Sequence, residues 1–324
     1  MISSTLEDIF GKSHQIGEVM QQIHQVSRSN FSVLLEGETG VGKTLVARTI
    51  HSLSKRREQP FVKVEIGSIP DTLFESELFG YRKGAFTGAD RDKKGFFEAA
   101  NGGTLFVDEL ENMTPCAQGK LLRAVEERQV IPLGSTTPID IDVRIISATN
   151  NNIKQEVKDK EFREDLFYRL CEFDILIPPL RERKEDIAFL ARQFLAEAAD
   201  ELDKEIKGIS GNVLAILLQN PWPGNVRELK NVIRKAVLQC EHEQLTLEDM
   251  RYFFVRDSEN NRELQEIDSL YPSFPFTLRI AALEEWAIRQ ALIRTKGRQM
   301  KAAALLGIEY QRFKRKLEKY EILP

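Results

Sequence analysis

Five short apolar runs punctuate the first half of the chain: FSVLL (Phe31–Leu35), FVKV (Phe61–Val64), TLFV (Thr104–Val107), VRIISA (Val143–Ala148) and FDILI (Phe173–Ile177). Their length and their share of Phe, Val and Ile are those of buried strands. Helical spacing fills most of the intervals between them. This alternation predicts an α/β fold with five mostly parallel strands in a helix-covered sheet.

After IPPL (Ile177–Leu180) the strand signals stop. Ile187, Leu190, Ala191, Phe194, Leu195 and Ala198 make one apolar stripe at helical spacing. A second helix is expected around Val213–Leu218, and NPWPG (Asn220–Gly224) breaks the chain. Val226, Leu229, Ile233, Ala236, Val237 and Cys240 form another stripe. The expected division is an α/β domain over 1–178, a small all-helical domain over 179–254, a linker over 255–276 and an all-α domain over 277–324. The linker is polar at first and then carries Pro272 and Pro275. Beyond it, Ile280, Leu283, Ala287 and Ala291 return to helical spacing.

Composition narrows the classes. The chain has 324 residues, 42% hydrophobic and 30% charged, an ordinary globular balance for two or three domains. No run of about 18 apolar residues occurs, so no membrane span is expected. The start lacks a basic stretch followed by an apolar one, so no secretory leader is expected. Cys116, Cys171 and Cys240 lie far apart and fit neither a disulfide framework nor a zinc spacing. Reduced thiols of a cytoplasmic protein are the expectation. The net charge of −4 hides an asymmetry: from Thr277 onward there are eleven basic and five acidic residues, so the tail is +6 and the rest −10. Such a tail fits a nucleic-acid contact or a solvated helical surface, and charge alone does not separate them.

GETGVGKT (Gly37–Thr44) fits G-x-x-x-x-G-K-[ST], follows the first strand and precedes the helical LVARTIHSL. In that context Gly37, Glu38, Thr39, Gly40, Val41 and Gly42 form a loop whose backbone N–H groups turn toward phosphates. The helix that follows favours the anion at its N-terminus. Lys43 is expected on the β- and γ-phosphates of ATP, and the Thr44 hydroxyl on Mg²⁺. GGTLFVDE ends a strand in Asp108 and Glu109. Asp108 is expected to hold Mg²⁺ through its water shell, and Glu109 to polarise the attacking water. Two acids after a strand also cap helices; beside a phosphate loop, hydrolysis is the stronger reading.

YRKGAFTGADRDKKG (Tyr81–Gly95) sets Phe86 between Gly84 and Gly88 in a charged, water-facing stretch. The ring is either tucked into the core or held out for a partner. With the phosphate loop, GAFTGA and VDE in one order, the chain resembles an AAA+ ATPase. More narrowly, it resembles the sigma-54-dependent bacterial transcription activators, also called enhancer-binding proteins. ESELFGYRKGAFTGA (Glu75–Ala89) is the most specific segment, and FREDLFYRL (Phe162–Leu170), PPLRERKEDI (Pro178–Ile187) and NPWPGNVREL (Asn220–Leu229) match later blocks. The likeness runs from about residue 6 to about residue 320.

The resemblance implies an AAA+ P-loop NTPase with a helical lid. It implies that Thr149 and Asn150 read the γ-phosphate, and that Arg163 and Arg169 are arginine fingers toward the neighbouring subunit's nucleotide. It puts Arg227 in the lid as a second sensor and Ile9 and Phe10 near the adenine. It implies that Gly84, Ala85, Phe86, Thr87, Gly88 and Ala89 contact sigma-54. Fingers acting in trans imply a homo-oligomeric ring, usually a hexamer in the family, with a resting dimer left open. Two positions depart from the pattern. Glu65, in KVEIGS, stands where the family commonly has an Asn that orients the catalytic Glu. Like charges at Glu65 and Glu109 put the coupling of nucleotide state to loop movement in question. Glu111, in DELEN, stands where the family has Gly, and the sequence offers no account of it.

The tail reads as a helix-turn-helix. MKAAALLG ends at Gly307, and the next helix turns Ile308, Phe313 and Leu317 inward. That leaves Tyr310, Gln311, Arg312, Arg315 and Lys316 outside, as in the Fis-type domain it resembles. Gln311 and Arg312 are the candidates for bases, and Lys314, Arg315 and Lys316 for phosphates. A helical hairpin for dimerisation is the other reading, and dimer formation and DNA binding can coexist. The expectation is a cytoplasmic ATPase that binds enhancer DNA and remodels sigma-54 RNA polymerase from a closed to an open promoter complex. A regulator without sigma-54 contact is disfavoured by the intact GAFTGA, and a remodeller of some other protein by the tail. Nothing ahead of Leu6 resembles a receiver or sensing domain, so the input is left open between a missing segment and a separate protein.

Overall fold

In the computed structural model, the five apolar runs become β1 (Val33–Glu36), β2 (Phe61–Glu65), β3 (Thr104–Asp108), β4 (Arg144–Thr149) and β5 (Phe173–Leu176). The structure describes residues 10–250, 287–289, 291–292, 295 and 297–320. Ile9, Ile280, Leu283 and the 255–276 linker lie outside the described residues. The chain forms two compact units, Met1–Met250 and Arg251–Pro324.

The strands make one parallel sheet in the order β2-β3-β4-β1-β5. The central β3 and β4 are buried along their whole length, as expected of strands covered on both faces. α1 (His14–Ser27) and α2 (Lys43–Ser52) cover one face. There Ile16, Ile23, Val46 and Ile50 pack on Val33, Leu35, Phe106 and Ile146. α3 (Phe74–Phe79), α4 (Phe96–Ala99), α5 (Pro115–Glu127), α6 (Ile153–Lys158) and α7 (Glu164–Leu170) accompany the other face. There Leu78, Phe97, Leu121 and Leu166 pack with Leu34, Val64, Leu105 and Val107. Phe106 and its neighbours Leu105 and Val107 thus point to opposite faces, the two-residue period of a strand. Each such side chain, fully buried, contributes about 1.5–3 kcal/mol. Buried Arg144 ties β4 to the end of α1: its guanidinium donates to Val26 O at 2.9 Å, Ser27 O at 3.4 Å and Phe31 O at 3.3 Å.

The helical part follows on α8 (Lys184–Glu201), α9 (Gly211–Gln219) and α10 (Asn225–Gln239). The stripe from Ile187 to Ala198 is buried, as are Val213, Leu217, Leu229, Ile233, Ala236 and Val237. Between α9 and α10, Trp222 is buried at φ 52°, with its indole N–H donating to Leu217 O at 2.8 Å. The NPWPG break is therefore an anchored corner. In the second unit, α11 (Gln299–Leu305) and α12 (Tyr310–Lys319) are joined through Gly307 at φ +64°. Phe313 and Leu317 pack there with Ile288, Ala291, Ala302 and Ala303, and Ile308 is half-buried against them. Among the described residues, no helix is long and apolar enough to cross a membrane.

Candidate functional site

β1 lies between β4 and β5, so the loop leaving its carboxyl end opens beside the ends of β4 and β3. That is where α/β sheets bind ligands. A cleft of about 770 Å³ lies there, lined by Gly40, Lys43, Thr44, Asp108, Asn150 and Arg227 among others. Lys43, at the start of α2, is only 8% exposed. Its ammonium donates to Gly37 O at 2.6 Å and Glu38 O at 3.1 Å, and it is held by Asn150 Oδ1. Burial pushes the Lys43 ammonium below its usual pKa. A cation buried among carbonyls and facing a cleft suits an anionic ligand.

Thr44 Oγ1 donates to Asp108 Oδ2 at 3.4 Å. These hard oxygen donors fit Mg²⁺. Among the described residues no group of three His, Cys, Asp or Glu could hold a metal. A metal beside Asp108 would therefore complete its shell from phosphate and water oxygens. Glu109 follows in the left-handed region at φ 59°, and its Oε2 accepts from Asn112 Nδ2 at 3.2 Å. Gly67 lies beneath that carboxylate: a Cβ there would collide with Glu109 Oε2 and come within 2.8 Å of Asn112 Nδ2.

Both departures acquire partners. Glu65 has a cation beside it: Lys63 Nζ lies 3.5 Å from Glu65 Oε2 and 3.1 Å from Asp108 Oδ2. The sequence reading passed over Lys63; its i, i+2 spacing from Glu65 on one strand was the available signal. Glu111 Oε1 accepts from Asn150 Nδ2 at 2.8 Å, while Asn150 Oδ1 faces Lys43. Thr149 does not turn into the cleft: it is fully buried, and its Oγ1 accepts from Asn151 N at 3.1 Å.

The phosphate loop is wired to the helical part by residues that the motif does not name. Arg181 grips both Glu38 oxygens, at 2.7 and 2.6 Å, and Asn225 Nδ2 donates to Glu38 Oε2 and Thr39 O at 3.1 Å each. The Arg181 bonds, and then the Asn225 bond, lower the Glu38 pKa to about 2. Arg227 N donates to Gly40 O at 3.3 Å. Gly40, at φ +82°, has no room for a Cβ, which would strike Gly224 O. Phe10 is 5% exposed and packs in the cluster of α1 and α2.

GAFTGA is the tip of a loop that leaves Gly80–Tyr81 and returns as Lys93–Lys94, the two segments pairing antiparallel. Gly84 N donates to Ala89 O at 2.9 Å, and Ala89 N to Phe86 O at 3.0 Å, closing the turn. The Phe86 ring meets Tyr81 edge-on, with centroids 4.9 Å apart, yet Phe86 stays 44% exposed. It is neither core nor free. Arg82 N donates to Leu133 O at 3.0 Å, and Ala85 lies against Gly134.

Residues 9–176 match the sigma-54 interaction domain, 181–267 the AAA+ ATPase lid domain and 279–320 the Fis family of bacterial regulatory proteins. The chain belongs to the sigma-54 interaction family of transcriptional regulators. It is 41% identical over 305 residues to the phenol regulator MopR of Acinetobacter guillouiae, covering 94% of this chain and 54% of MopR. It is 40% identical over 326 residues to the DNA-binding transcriptional regulator NtrC of Escherichia coli strain K12, covering 96% and 70%. A crystal structure of NtrX from Brucella abortus in complex with ADP superposes with TM-score 0.71 at 29% identity, covering 98% of this chain and 71% of that one. The chain spans about half the length of curated relatives such as MopR.

Two expected residues of this sigma-54 interaction domain lie apart from its cleft. Arg163, the N-cap of α7, pairs with Asp165 at 2.7 Å, and Arg169 pairs with Glu126 at 3.2 Å. Both are about half exposed, and neither lines the cleft around Lys43. In the Fis-family unit, Tyr310, Gln311, Arg312, Lys314 and Arg315 are exposed on α12, and Lys316 is half-buried. The Tyr310 hydroxyl donates to Gln299 Oε1 at 3.2 Å, joining the two helices across the turn.

Proposed function

We propose that this protein is an ATPase that binds enhancer DNA and uses hydrolysis in a homo-oligomeric ring to remodel sigma-54 RNA polymerase from a closed to an open promoter complex. The observation that carries the reading is the convergence of Lys43, Thr44, Asp108, Glu109 and Asn150 at the carboxyl ends of three adjacent strands. The exposed Phe86 tip stands on a loop of its own.

The loop from Gly37 to Gly42 cradles the phosphates with its N–H groups. Lys43 exchanges its carbonyl and Asn150 acceptors for β- and γ-phosphate oxygens, a charge-assisted bond for a buried cation. Thr44 and Asp108 would hold Mg²⁺, which when bound would neutralise charge on the phosphates. Glu109 orients the attacking water and accepts its proton. Arg227 closes the lid side, while Arg163 and Arg169 leave their ion pairs to reach the nucleotide of an adjoining subunit. The Gly84–Ala89 tip rises from Tyr81 to meet sigma-54. Gln311 and Arg312 read bases while Lys314, Arg315 and Lys316 hold phosphates.

Open-complex formation with purified sigma-54 holoenzyme tests the whole reading. ATP is expected to be required, and Phe86→Ala is expected to abolish opening while leaving ATP hydrolysis within about twofold, because the tip lies outside the cleft. Normal opening by Phe86→Ala would refute the assignment of the tip. Opening without ATP would refute the assignment of the cleft.

A further inference from the structure

Lys63 places a cation on the carboxylate that the proposed function gives to the metal. Its Nζ lies 3.1 Å from Asp108 Oδ2, the same oxygen that accepts the Thr44 hydroxyl at 3.4 Å. A second carboxylate is within reach, Glu65 Oε2 at 3.5 Å. The register explains this triangle. Lys63 and Glu65 are two residues apart on β2 and share a face, while Glu65 sits opposite Asp108 on β3. The Lys63 side chain is 32% exposed, and its ammonium bridges both acids, closer to Asp108, so a small side-chain shift would favour Glu65.

A divalent cation at Asp108 would stand a few ångströms from that ammonium, and like charges at that distance repel strongly. Glu65 is the counter-charge left for it. We propose that Lys63 covers Asp108 when no metal nucleotide is bound and transfers to Glu65 when one arrives. The Lys63–Glu65 pair would then report the filled site to the segment that leads to Phe86. Glu65 ends β2, and the next turn, Ile66–Ser68, holds Gly67 against Glu109 before the chain runs through α3 to the loop. A charge pair here does the work that the resemblance gives to a neutral Asn, and it requires both members. Lys63 is a positioning residue in this scheme. The inference rests on the ATPase reading, and its test separates the two.

The probe is Mn²⁺ titrated into the full chain saturated with ADP, with free Mn²⁺ followed by electron paramagnetic resonance. Removing the competing cation in Lys63→Met is expected to tighten Mn²⁺ binding about tenfold. Lys63→Arg keeps the cation and is expected to stay within about twofold of the parent. Glu65→Gln deprives the displaced ammonium of its destination and is expected to weaken Mn²⁺ binding about threefold. That effect should vanish in the Lys63→Met background, the signature of a coupled pair. Hydrogen exchange of amides 66–90 is expected to respond to Mn²⁺ in the parent and not in Lys63→Met. Unchanged or weaker Mn²⁺ binding by Lys63→Met, or a Glu65→Gln effect of equal size in both backgrounds, would overturn the inference. Binding of a fluorescent ADP in chelator, without metal, is the separate control. A parent chain that fails there overturns the ATPase reading and this inference with it, whereas one that passes isolates any failure to Lys63.

Discussion

Glu111 accepts a hydrogen bond from the Asn150 side-chain amide at 2.8 Å, and the carbonyl of that same amide faces the Lys43 ammonium. A carboxylate is acceptor-only, so Glu111 fixes which end of the amide looks into the cleft. With the small Gly that the family carries here, nothing on this side would choose. Glu111→Ala is therefore expected to lower kcat for ATP hydrolysis about tenfold through misplacement of Asn150. ADP affinity should stay within about twofold, because ADP lacks the γ-phosphate Asn150 is assigned to read. Glu111→Gln retains an acceptor oxygen and should recover most of the rate. Steady-state kinetics with an ADP titration distinguishes these outcomes.

Gly67 makes a sharper demand. Its φ is not in the left-handed region, so alanine suits the backbone, but the new Cβ would collide with Glu109 Oε2. The atom struck is the free end of a side chain, so the cost falls on position rather than on folding. Gly67→Ala is expected to keep its thermal midpoint and its ADP affinity while losing roughly 10–100-fold in kcat. A large drop in midpoint would show that the glycine serves packing instead.

Local pattern carried the sheet and the nucleotide motif. Each strand lies on an apolar run because burial on both faces favours Val, Ile, Leu and Phe, although β4 also buries Arg144, Ser147 and Thr149. The phosphate loop and Asp108 were legible because phosphate chemistry constrains residue types at fixed spacing. What escaped was long-range pairing. Lys63 on Asp108, Glu111 on Asn150, and Arg181 and Asn225 on Glu38 join residues 39 to 187 positions apart. No periodicity encodes such contacts. The expectation for Glu65 compared it with Glu109 alone and left out Lys63, which stands beside Glu65 and Asp108. Phe86 shows a mixed outcome, because its charged flanks predicted exposure but not the Tyr81 ring that it rests on.

The Glu38–Arg181 tie between phosphate loop and lid has a pH signature. Bonding to Arg181, then to Asn225, lowers the Glu38 pKa from 4.5 to about 2. A folded value below the unfolded one stabilises the fold fully above 4.5, and the contribution fades as pH falls through about 2. Glu38→Gln should thus be modestly less stable than the parent at neutral pH, since the pair is 42% and 41% exposed and screened by water. The two proteins should converge as the medium is acidified below 4.5. Urea unfolding across that range reads the difference, and a gap that persists or widens in acid would assign the stabilisation to another group.

On α12, the proposed DNA contacts fall into two kinds. Phe313 and Leu317 are buried, which fixes the helix's rotation and leaves Gln311, Arg312, Lys314 and Arg315 exposed. Gln311 and Arg312 sit in the first turn, where a recognition helix meets base edges. Arg315 lies further along, where a cation neutralises backbone charge without reading sequence. Arg315→Ala is expected to weaken specific and non-specific duplexes by the same factor and to reduce the slope of log affinity against log salt by about 1. Arg312→Ala is expected to lose about 1–3 kcal/mol on the preferred site while barely changing random DNA, so that specificity falls rather than overall affinity. Titrations of both variants on site and random duplexes at several salt concentrations decide the matter. If Arg312→Ala behaved as Arg315→Ala is expected to, the first turn of α12 would be a phosphate clamp, and base reading would fall to Gln311 or Tyr310.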